Sequence, residues 1–454
     1  MTKDLFKKAI VSHKADYLEI RAEDRETVRI DYMGPELEGI GRNTDSGGCV
    51  RALIKGGWGF SSFNRLDKLG DHIRAATQAA ALVGRGKSRL ATAPVVTAEV
   101  AAQVEKDPGN ISLEEKHALC RTYNEIILSA PKIQTSRVSY REKTITKHFC
   151  NSEGTYLVSK HIFCGISLMA MTREGSNVQQ AYHSVGDQRG YQIVEGLEES
   201  AEGVAKRAVD LLSAPSVKGG TYTVICDPKL CGVFVHEAFG HLSEADHIYE
   251  NKRLMAMMRL GRRFGAEQLS IIDDPTLPGE AGSFEYDDEG VKGSPTYLLK
   301  EGVLTHRLHS RETALKMEEA PTGNARAISY RYEPIVRMSN TYLAPGEANL
   351  ESMLNGVSEG IYAKGALGGQ TEMEMFTFSA EEAYLIQNGQ LGPLIRDVVL
   401  TGNVFETLAN IDMIGHDLVH FGGLGGCGKS GQGPLPVATG GPHIRIQKVT
   451  IGGR

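Results

Sequence analysis

Two histidines and a glutamate lie within six consecutive residues near the middle of the 454-residue chain. His236 is followed directly by Glu237, and His241 lies five positions after the first histidine. Neutral imidazoles are good ligands for Zn²⁺, and a carboxylate that is not a ligand can take a proton from a water on the metal. These residue types predict a hydrolytic site with Zn²⁺ as cofactor and Glu237 as the catalytic base.

The spacing of the histidines departs from the standard His-Glu-x-x-His pattern, in which a four-residue step places both ligands on one helical face. A five-residue step puts the second ring ~140° round a regular helix, on the wrong side for a shared ion. A single π-turn would bring the rings together, and Gly240 permits that local distortion at little steric cost. We therefore predict a π-turn here. In a regular helix, the two residues would be unrelated core or surface histidines.

The residues around the motif predict a strand followed by a helix. Residues 222–226, Tyr-Thr-Val-Ile-Cys, have the composition of a buried strand. Asp227 and Pro228 then supply a helix N-cap and a proline at the first helical position. Apolar residues recur at four-residue steps and predict one buried helical stripe: Leu230, Phe234, Ala238 and Leu242. Such a strand and helix would hold the histidines rigidly.

A catalytic zinc site takes three protein ligands, so one more is needed beside the two histidines. Candidates close in sequence are two acids and an imidazole: Glu244, Asp246 and His247. Glu244 follows His241 by three residues and shares its helical face. A distant candidate is Cys427, in a glycine-rich loop whose backbone can approach a metal closely, with Lys429 nearby to favour the thiolate. Local spacing alone favours Glu244, but the residues do not exclude Cys427.

The same loop matches a phosphate-binding pattern by letter, because residues 423–430 read Gly-x-x-x-x-Gly-Lys-Ser. In a P-loop, a helix follows the lysine directly, so that its N-terminal amides face the phosphates. Residues 431–436 read Gly-Gln-Gly-Pro-Leu-Pro and cannot form that helix. We therefore exclude a nucleotide-binding loop.

Composition restricts the location and the partners of the chain. A formal net charge of −6 and a pI near 6.2 argue against a nucleic-acid partner, which requires clustered Lys and Arg. No apolar stretch is long enough to span a membrane, and residues 1–8 lack the apolar centre of a signal peptide. Seven scattered cysteines fit reduced thiols rather than a disulfide framework. The prediction is a cytoplasmic protein without a membrane partner.

Length and pattern predict an α+β fold with two main domains. Residues 1–215 read as an N-terminal sheet-and-helix domain, with two lobes, 1–95 and 105–215, as a finer division. Residues 216–454 are rich in glycine and turns and contain two hairpin patterns, near residues 300 and 388. They predict a mainly antiparallel β domain that carries the metal-site helix.

Within the N-terminal domain, the pattern predicts several separate elements. Two short segments, 16–21 and 28–32, alternate in the manner of strands, each with one apolar and one charged face. Ser112 and Glu115 form a capping box that begins a helix. Residues 135–171 alternate again and predict an antiparallel meander.

Several motifs together resemble those of one known family, the TldD/PmbA metallopeptidases. Residues 236–241, His-Glu-Ala-Phe-Gly-His, are similar to the signature of the TldD-like half of that family, which PmbA-like paralogues lack. Further matching stretches lie downstream, at residues 272–275, 287–290, 321–326, 337–342, 368–370 and 426–429. The resemblance covers essentially the whole chain and is strongest after about residue 216.

This resemblance implies a soluble zinc peptidase that cleaves unstructured or leader peptides. It implies His236, His241 and Cys427 as the metal ligands and Glu237 as the base, and it leaves the substrate-binding residues unassigned. It also implies a dimer around an enclosed chamber, either a homodimer or a heterodimer with a PmbA-like paralogue.

Two other functions are compatible with the sequence. One is a regulatory binding protein, a modulator of DNA gyrase, although the intact metal motif and the acidic pI argue against it. The other is a metal-dependent hydrolase of a non-peptide substrate. A metal assay would separate the regulatory protein from a hydrolase, and digestion of a peptide library would separate the two hydrolases.

Overall fold

The computed structural model describes residues 2–84, 86, 88–372 and 374–452 of the chain. The fold is α+β, as predicted, and its sheets are mainly antiparallel. One large sheet organises the N-terminal part, and two large sheets organise the C-terminal part. No helix within the described ranges is both long and apolar enough to cross a membrane.

A seven-stranded sheet organises the N-terminal part. Its strands are β1 (Tyr17–Met33), β2 (Glu36–Ile54), β3 (Gly57–Phe63), β4 (Thr97–Val100), β5 (Ile133–Asn151), β6 (Tyr156–Glu174) and β7 (Asn177–Asp187). The order is β3-β2-β1-β5-β6-β4, and β7 also pairs with β6. The helices described in this part are α1 (Thr2–Val11), α2 (Leu69–Leu82), α3 (Leu113–Ser129) and α4 (Glu198–Ser213).

The segments 16–21 and 28–32, whose alternation predicts strand structure, are parts of one long strand rather than separate elements. They belong to the single strand β1, which pairs along most of its length with both β2 and β5. The residues between them are polar and interrupt the apolar alternation, but an ion pair of Arg25 with Glu23 at 2.6 Å holds two of them in place. Backbone pairing on both sides therefore outweighs the local loss of pattern.

The two faces of this sheet are covered differently. On the apolar face, Ile20 packs in a buried cluster with Ile73 of α2. The charged face turns toward the C-terminal part and is buried there. Arg51 contacts Glu19 at 2.9 Å and Glu289 of the C-terminal part at 2.6 Å. Removing either partner of such a pair would leave a buried charge uncompensated, so these contacts hold the two parts in register.

The other predicted N-terminal elements are present. Helix α3 begins at the capping box: Ser112 Oγ accepts from Glu115 N at 3.1 Å, and the Glu115 carboxylate accepts from Ser112 N at 3.0 Å. It ends at Ser129, two residues before Pro131, where a proline stops the helix. The predicted meander is formed by β5 and β6 and continues into β7.

The C-terminal part consists mainly of short strands. They are β8 (Gly220–Cys226), β9 (Ile271–Asp273), β10 (Thr296–Lys300), β11 (Val303–Leu304), β12 (Ala325–Arg326), β13 (Ile335–Val336), β14 (Asn340–Leu343), β15 (Glu359–Lys364), β16 (Gly368–Glu372), β17 (Met375–Ser379), β18 (Glu382–Gln387), β19 (Gln390–Ile395), β20 (Val399–Asn403), β21 (Ile411–Ile414), β22 (Val419–Phe421), β23 (Cys427–Lys429), β24 (Gln432–Leu435), β25 (Ala438–Gly441) and β26 (Ile444–Gly452). The helices described here are α5 (Pro228–Val235), α6 (Ala245–Ile248), α7 (Lys252–Met257), α8 (Arg311–Met317), α9 (Leu350–Leu354) and α10 (Val404–Ala409).

Two large sheets form from these strands. The nine-stranded sheet has the order β16-β17-β20-β26-β8-β15-β18-β19, with β21 also on β26, and the six-stranded sheet has the order β11-β10-β9-β14-β25-β22. Among the described strands of these two sheets, the parallel pairs are β8–β15 and β14–β25. The two predicted hairpins are β10–β11 and β18–β19. The nine-stranded sheet is open, since β16 and β19 each pair on one side only in the described part of the chain.

Helix α5, which carries the metal motif, lies between these two sheets. It packs on β14, β22 and β25 of one sheet and on β8 and β15 of the other. Gly232 allows the close approach, because a Cβ atom there would lie 2.7 Å from Gly440 N. On the predicted apolar stripe, Leu230 and Phe234 are buried, and Phe234 packs edge to face on Phe376 of β17. The helix is thus fixed on both sides.

Candidate metal centre

Helix α5 ends in the π-turn that the sequence predicts. Asp227 Oδ1 accepts a hydrogen bond from Leu230 N at 2.8 Å and caps the start of the helix. The chain continues after the helix as a π-turn over residues 236–240, where the His241 N–H donates to the His236 carbonyl. The extra residue in the turn brings the second ring back to the first, and the ring centroids are 5.2 Å apart.

Gly240 is required in this turn for space rather than for an unusual backbone conformation. Its φ and ψ, −58° and −55°, are those of an ordinary helical residue. A Cβ atom at this position would lie 2.1 Å from Met338 Sδ, far inside van der Waals contact. The sequence argument cited the backbone freedom of glycine and therefore named the right residue for the wrong reason.

Cys427 lies 186 residues beyond His241 and joins the two histidines in one cluster. Its Sγ is 3.4 Å from His241 Nε2. One ligand atom from each of His236, His241 and Cys427 lies within 4.8 Å of the others. Within the ranges that the structure describes, this is the one group of at least three His, Cys, Asp or Glu side chains at such distances.

A short hairpin of β23 and β24 holds Cys427 in this position. Cys427 is the register partner of Leu435. The carbonyl groups of Cys427 and Gln432 accept hydrogen bonds from the guanidinium of Arg337 at 2.5 and 3.0 Å. Arg337 is fully buried. Sequence reasoning noted the stretch containing this arginine only as a family match and missed its contact with the cysteine loop.

Lys429 is directed to the acidic residues after the motif, rather than to Cys427 as we expected from the sequence. Its Nζ donates to Asp246 Oδ1 at 2.6 Å and to the Val336 carbonyl at 2.8 Å. It also lies 3.2 Å from Glu244 Oε2. The charge of this lysine therefore stabilises the two carboxylates, and the thiolate depends on other groups.

The three candidates close in sequence lie outside the cluster. Glu244 is fully buried, and its Oε2 lies 2.9 Å from His241 Nδ1, the ring nitrogen that does not face Cys427. Asp246 and His247 are not members of the cluster either. Glu244 is therefore a hydrogen-bond partner of His241, and Cys427 takes the third place in the cluster.

Glu237 lies at the edge of the cluster without belonging to it. Its Oε2 is 3.9 Å from His241 Nε2, and 26% of its side chain is exposed. Among Glu237, Glu244 and Asp246, it is Glu237 that reaches the cluster from the solvent side. Its oxygens are available to a water or to a substrate atom next to the cluster, which is the position required of a general base.

The charges within the cluster favour the thiolate. Burial raises the pKa of the Cys427 thiol, but hydrogen bonds and charge from His236 and His241 outweigh burial and lower this pKa to about 5. Burial lowers the pKa of His241, whereas its hydrogen bonds with Cys427 and Glu244 raise it to about 10. The protein therefore presents a thiolate at neutral pH, which is the form that binds metals.

The cluster fits a metal ion such as zinc. Two imidazoles and one thiolate are donors that zinc accepts in catalytic sites, with a further position for water or substrate. His236 Nδ1 is buried and has no hydrogen-bond partner among the described residues. Glu244 supports His241 in the way that a carboxylate supports a metal-binding histidine.

A buried carboxylate of β9 fixes the segment beside the π-turn. Asp273 accepts hydrogen bonds from Ser339 N at 2.9 Å and Ser339 Oγ at 2.7 Å, and also from Thr341 Oγ1 and Asn324 Nδ2, both at 2.9 Å. Burial raises the pKa of this carboxyl, and the donors act against that effect. The preceding residue of the segment, Met338, is thereby held against Gly240. From the sequence, this acid is known only as part of a stretch, 272–275, that matches the family.

A buried imidazole–thiolate cluster with a carboxylate at its edge is the arrangement of a metal-dependent hydrolase. Sequence comparison agrees with that class. Three family models match the chain, at residues 18–83, 106–214 and 219–453. Their descriptions are PmbA/TldA metallopeptidase domain 1, central domain and C-terminal domain, in that order. The chain is also 46% identical over 442 residues to a metalloprotease of Synechocystis sp., covering 97% of this chain and 95% of the relative. The chain belongs to the PmbA/TldD metallopeptidase family, as its motifs predict.

Two further proteins are similar to the chain over most or all of its length. The zinc metalloprotease TldD homolog of Saccharolobus solfataricus is 30% identical over 419 residues, covering 91% of each chain. Among solved structures, TldE from Thermococcus kodakarensis superposes with a TM-score of 0.78 at 16% identity, covering 100% of each chain. At that identity the structural match shows the fold alone. The sequence relatives make this chain a metallopeptidase of the family.

Proposed function

We propose that the chain is a zinc peptidase that hydrolyses unstructured or leader peptides, with His236, His241 and Cys427 as zinc ligands and Glu237 as the base. The observation that carries the proposal is the cluster of three buried donors within 4.8 Å of one another, with a partly exposed carboxylate at its edge. A zinc ion on these donors would polarise the scissile carbonyl and lower the pKa of a water.

Two acidic side chains would move the proton and orient the histidine. Glu237 takes a proton from the attacking water and gives it to the leaving amine, because its carboxylate lies beside the cluster and is open to solvent. Glu244 binds Nδ1 of His241, so that Nε2 faces the cluster. These two acids thus have separate roles that follow from their different positions around one histidine.

An edge strand beside the π-turn supports a peptide as the substrate. Strand β16 pairs with β17 on one side and packs next to the π-turn on its way past the cluster. Its residues Gly368, Gly369 and Gln370 are exposed, and their main chain is available for an added strand. Such binding requires an extended segment, so it selects unstructured peptides over folded proteins.

The assembly that we propose follows from the family resemblance, and the location follows from the cysteines. A second copy of the chain, or a PmbA-like paralogue without the metal motif, would form the dimer. The cytoplasm is the proposed location because all seven cysteines are buried as thiols, which suits a reducing compartment. Light scattering of the purified chain, alone and with the paralogue, tests the assembly.

Metal analysis and digestion of a peptide library test the proposed reaction. Purified protein should carry about one zinc ion per chain, and chelation should abolish cleavage of disordered peptides, because the site takes a single ion. If the metal is present and no library peptide is cut, a hydrolase of a non-peptide substrate replaces the proposal. If no metal binds, the regulatory function is favoured instead.

A further inference from the structure

A cavity of about 100 Å³ lies between the charged face of the N-terminal sheet and the C-terminal part. Lys143 and Ile145 of β5 and His161 of β6 form one wall, and Phe284 and Leu435 lie in the other. The residues of β5 reach the cavity together because alternate residues of a strand point to the same face. The volume is that of about three liquid waters, enough for a small polar group with a few carbon atoms.

The cavity is one strand away from the metal cluster. Leu435 is the register partner of Cys427, and residues opposite each other in an antiparallel pair are roughly 5 Å apart. Arg326 also lines the cavity and donates to the Met338 carbonyl at 2.5 Å, and Met338 packs against Gly240 of the π-turn. The cavity and the cluster therefore share the β23–β24 hairpin and the segment around Met338 as neighbours.

The acidic residues of the cavity wall are already satisfied by the protein. Asp287 accepts three backbone N–H groups, each at 2.9 Å. Asp288 accepts a hydrogen bond from Lys147 at 2.8 Å. Arg25, another lining residue, is paired with Glu23 at 2.6 Å. Both carboxylates therefore already have hydrogen-bond donors. The charges of Arg25 and Lys147 are already paired with carboxylates.

Lys143 is a cation of the cavity wall that is not part of these pairs. It forms no ion pair with a described residue, and the carboxylate that acts on it, Glu23, is held by Arg25. Burial, followed by the charge of Arg25, lowers the pKa of its ammonium group. The side chain is half-buried, and a bound carboxylate would supply the anion that this ammonium group lacks.

Arg326 adds a second cation without a carboxylate partner. Its guanidinium donates to the carbonyls of Met338 and Pro436 and stacks on the Phe284 ring at 5.1 Å. Burial and the neighbouring Arg337 lower its pKa to about 10. Two cations with only neutral acceptors, next to apolar side chains, are suited to an anion that carries a short carbon chain.

We propose that this cavity is a substrate subsite that binds a carboxylate of the peptide, with Lys143 as the main cation and Arg326 as the second. The proposal rests on the proposed peptidase function, because the ligand is taken to be part of a peptide. The carboxylate belongs either to an Asp or Glu side chain or to the C-terminus of the peptide. Ile145 and Phe284 contact the carbon atoms that carry it.

Paired synthetic peptides test the subsite. Decapeptides of Gly, Ser and Ala carry one Glu at each position in turn, and each has a Gln counterpart. A further pair has a free or an amidated C-terminus. Calorimetry with the zinc-loaded Glu237→Gln protein should show about tenfold tighter binding of the acid at one or two positions, or at the C-terminus, because a hydrogen bond to a charged group is gained. The position of the preference separates the two sources of the carboxylate.

Variants of Lys143 complete the experiment. The preference should disappear in Lys143→Met and persist in Lys143→Arg, which keeps the charge. It should also persist in Lys206→Met, a matched change at an exposed lysine of α4. A preference that survives Lys143→Met, or that Lys206→Met removes equally, overturns the assignment. The Glu–Gln comparison needs no Lys143 variant, so equal affinity for every acid and its neutral counterpart overturns the subsite even if Lys143→Met does not fold.

The failure of the subsite and the failure of the peptidase function give different results. Cleavage of the peptides by the unsubstituted protein, with equal affinity for every acid and its neutral counterpart, overturns the subsite and leaves the peptidase function standing. A Lys143-dependent preference for the acid, without any cleavage by the unsubstituted protein, overturns the peptidase function and retains the carboxylate site.

Discussion

His241 Nδ1 and the Glu244 carboxylate are joined by a hydrogen bond of 2.9 Å inside the protein. Burial raises the pKa of Glu244, but Lys429 and His241 outweigh burial and lower it to about 2, so the group is ionised. An ionised carboxylate only accepts hydrogen bonds, and the ring must therefore donate from Nδ1 and present Nε2 to Cys427. The acid that local spacing offers as a third ligand thus orients the histidine.

Replacing this acid should weaken metal binding without abolishing it. In Glu244→Gln the charge next to His241 is lost, and zinc affinity should fall about 10- to 100-fold, as for other partners of metal-binding histidines. Competition with a chelator measures the dissociation constant. Glu250→Gln, at an exposed acid nearby, is the matched control and should bind zinc normally. Complete loss of zinc in Glu244→Gln would instead make this acid a ligand.

Replacing the base should separate metal binding from catalysis. Glu237→Gln should keep full zinc occupancy, because Glu237 is outside the cluster, and peptide cleavage should fall by about 10²- to 10⁴-fold. Metal analysis and the cleavage rate are measured on the same sample, with Glu250→Gln again as the control. Near-normal turnover with zinc bound would show that another group takes the proton.

Replacing the distant cysteine should remove the metal. Cys427→Ser replaces the thiolate donor and should lose both zinc and activity. Cys231→Ser is the matched control, because Cys231 lies on α5, one turn before the motif, and is buried away from the cluster. Zinc stoichiometry in the two variants decides the matter. Full zinc occupancy in Cys427→Ser would show that Glu244 is the third ligand instead.

The sequence predicts the parts of this site that depend on local chain geometry. The cap at Asp227, the buried stripe of α5 and the π-turn after it follow from residue order and helical periodicity, and the structure contains all three. Cys427 follows from the family resemblance alone, because nothing local relates a loop 186 residues away to the helix.

Contacts between distant segments explain what the sequence did not predict. Lys429 is close to Cys427 in sequence, yet it binds Asp246, since the hairpin turns its side chain toward α6. Arg337 contacts the cysteine loop 90 residues away, in the part of the fold where β14 pairs with β25. The polar middle of β1 lacks an apolar pattern and forms a strand only because β2 and β5 pair on both sides.

Zinc affinity should rise with pH across the neutral range. With the pKa of Cys427 at about 5 and that of His241 at about 10, the pair holds one proton at neutral pH, which the metal must displace. Affinity should therefore increase about tenfold per unit between about pH 6 and 8, and fall more steeply below about pH 5, where the thiol also takes a proton. Chelator competition at several pH values measures the slope. A flat dependence in the neutral range would show that His241 is already neutral without metal.

Arg337 should be essential for placing Cys427. Its guanidinium is fully buried and binds the carbonyls of Cys427 and Gln432, which fixes the two strands of the hairpin relative to the helix. Arg337→Met keeps the volume but leaves both carbonyls without this donor, at about 1–3 kcal/mol for each group left unpaired. The free energy of unfolding should decrease, and zinc affinity should decrease as well because the thiolate is no longer held against His241.

Denaturant unfolding with and without zinc separates these two effects. Stabilisation by zinc depends on the affinity of the folded state, so the increment on adding zinc should be smaller in Arg337→Met than in the unsubstituted protein. Arg331→Met is the control, since Arg331 is half-exposed and binds Asp45 of the N-terminal part. An unchanged increment in a destabilised Arg337→Met would mean that the arginine supports the fold without positioning the cysteine.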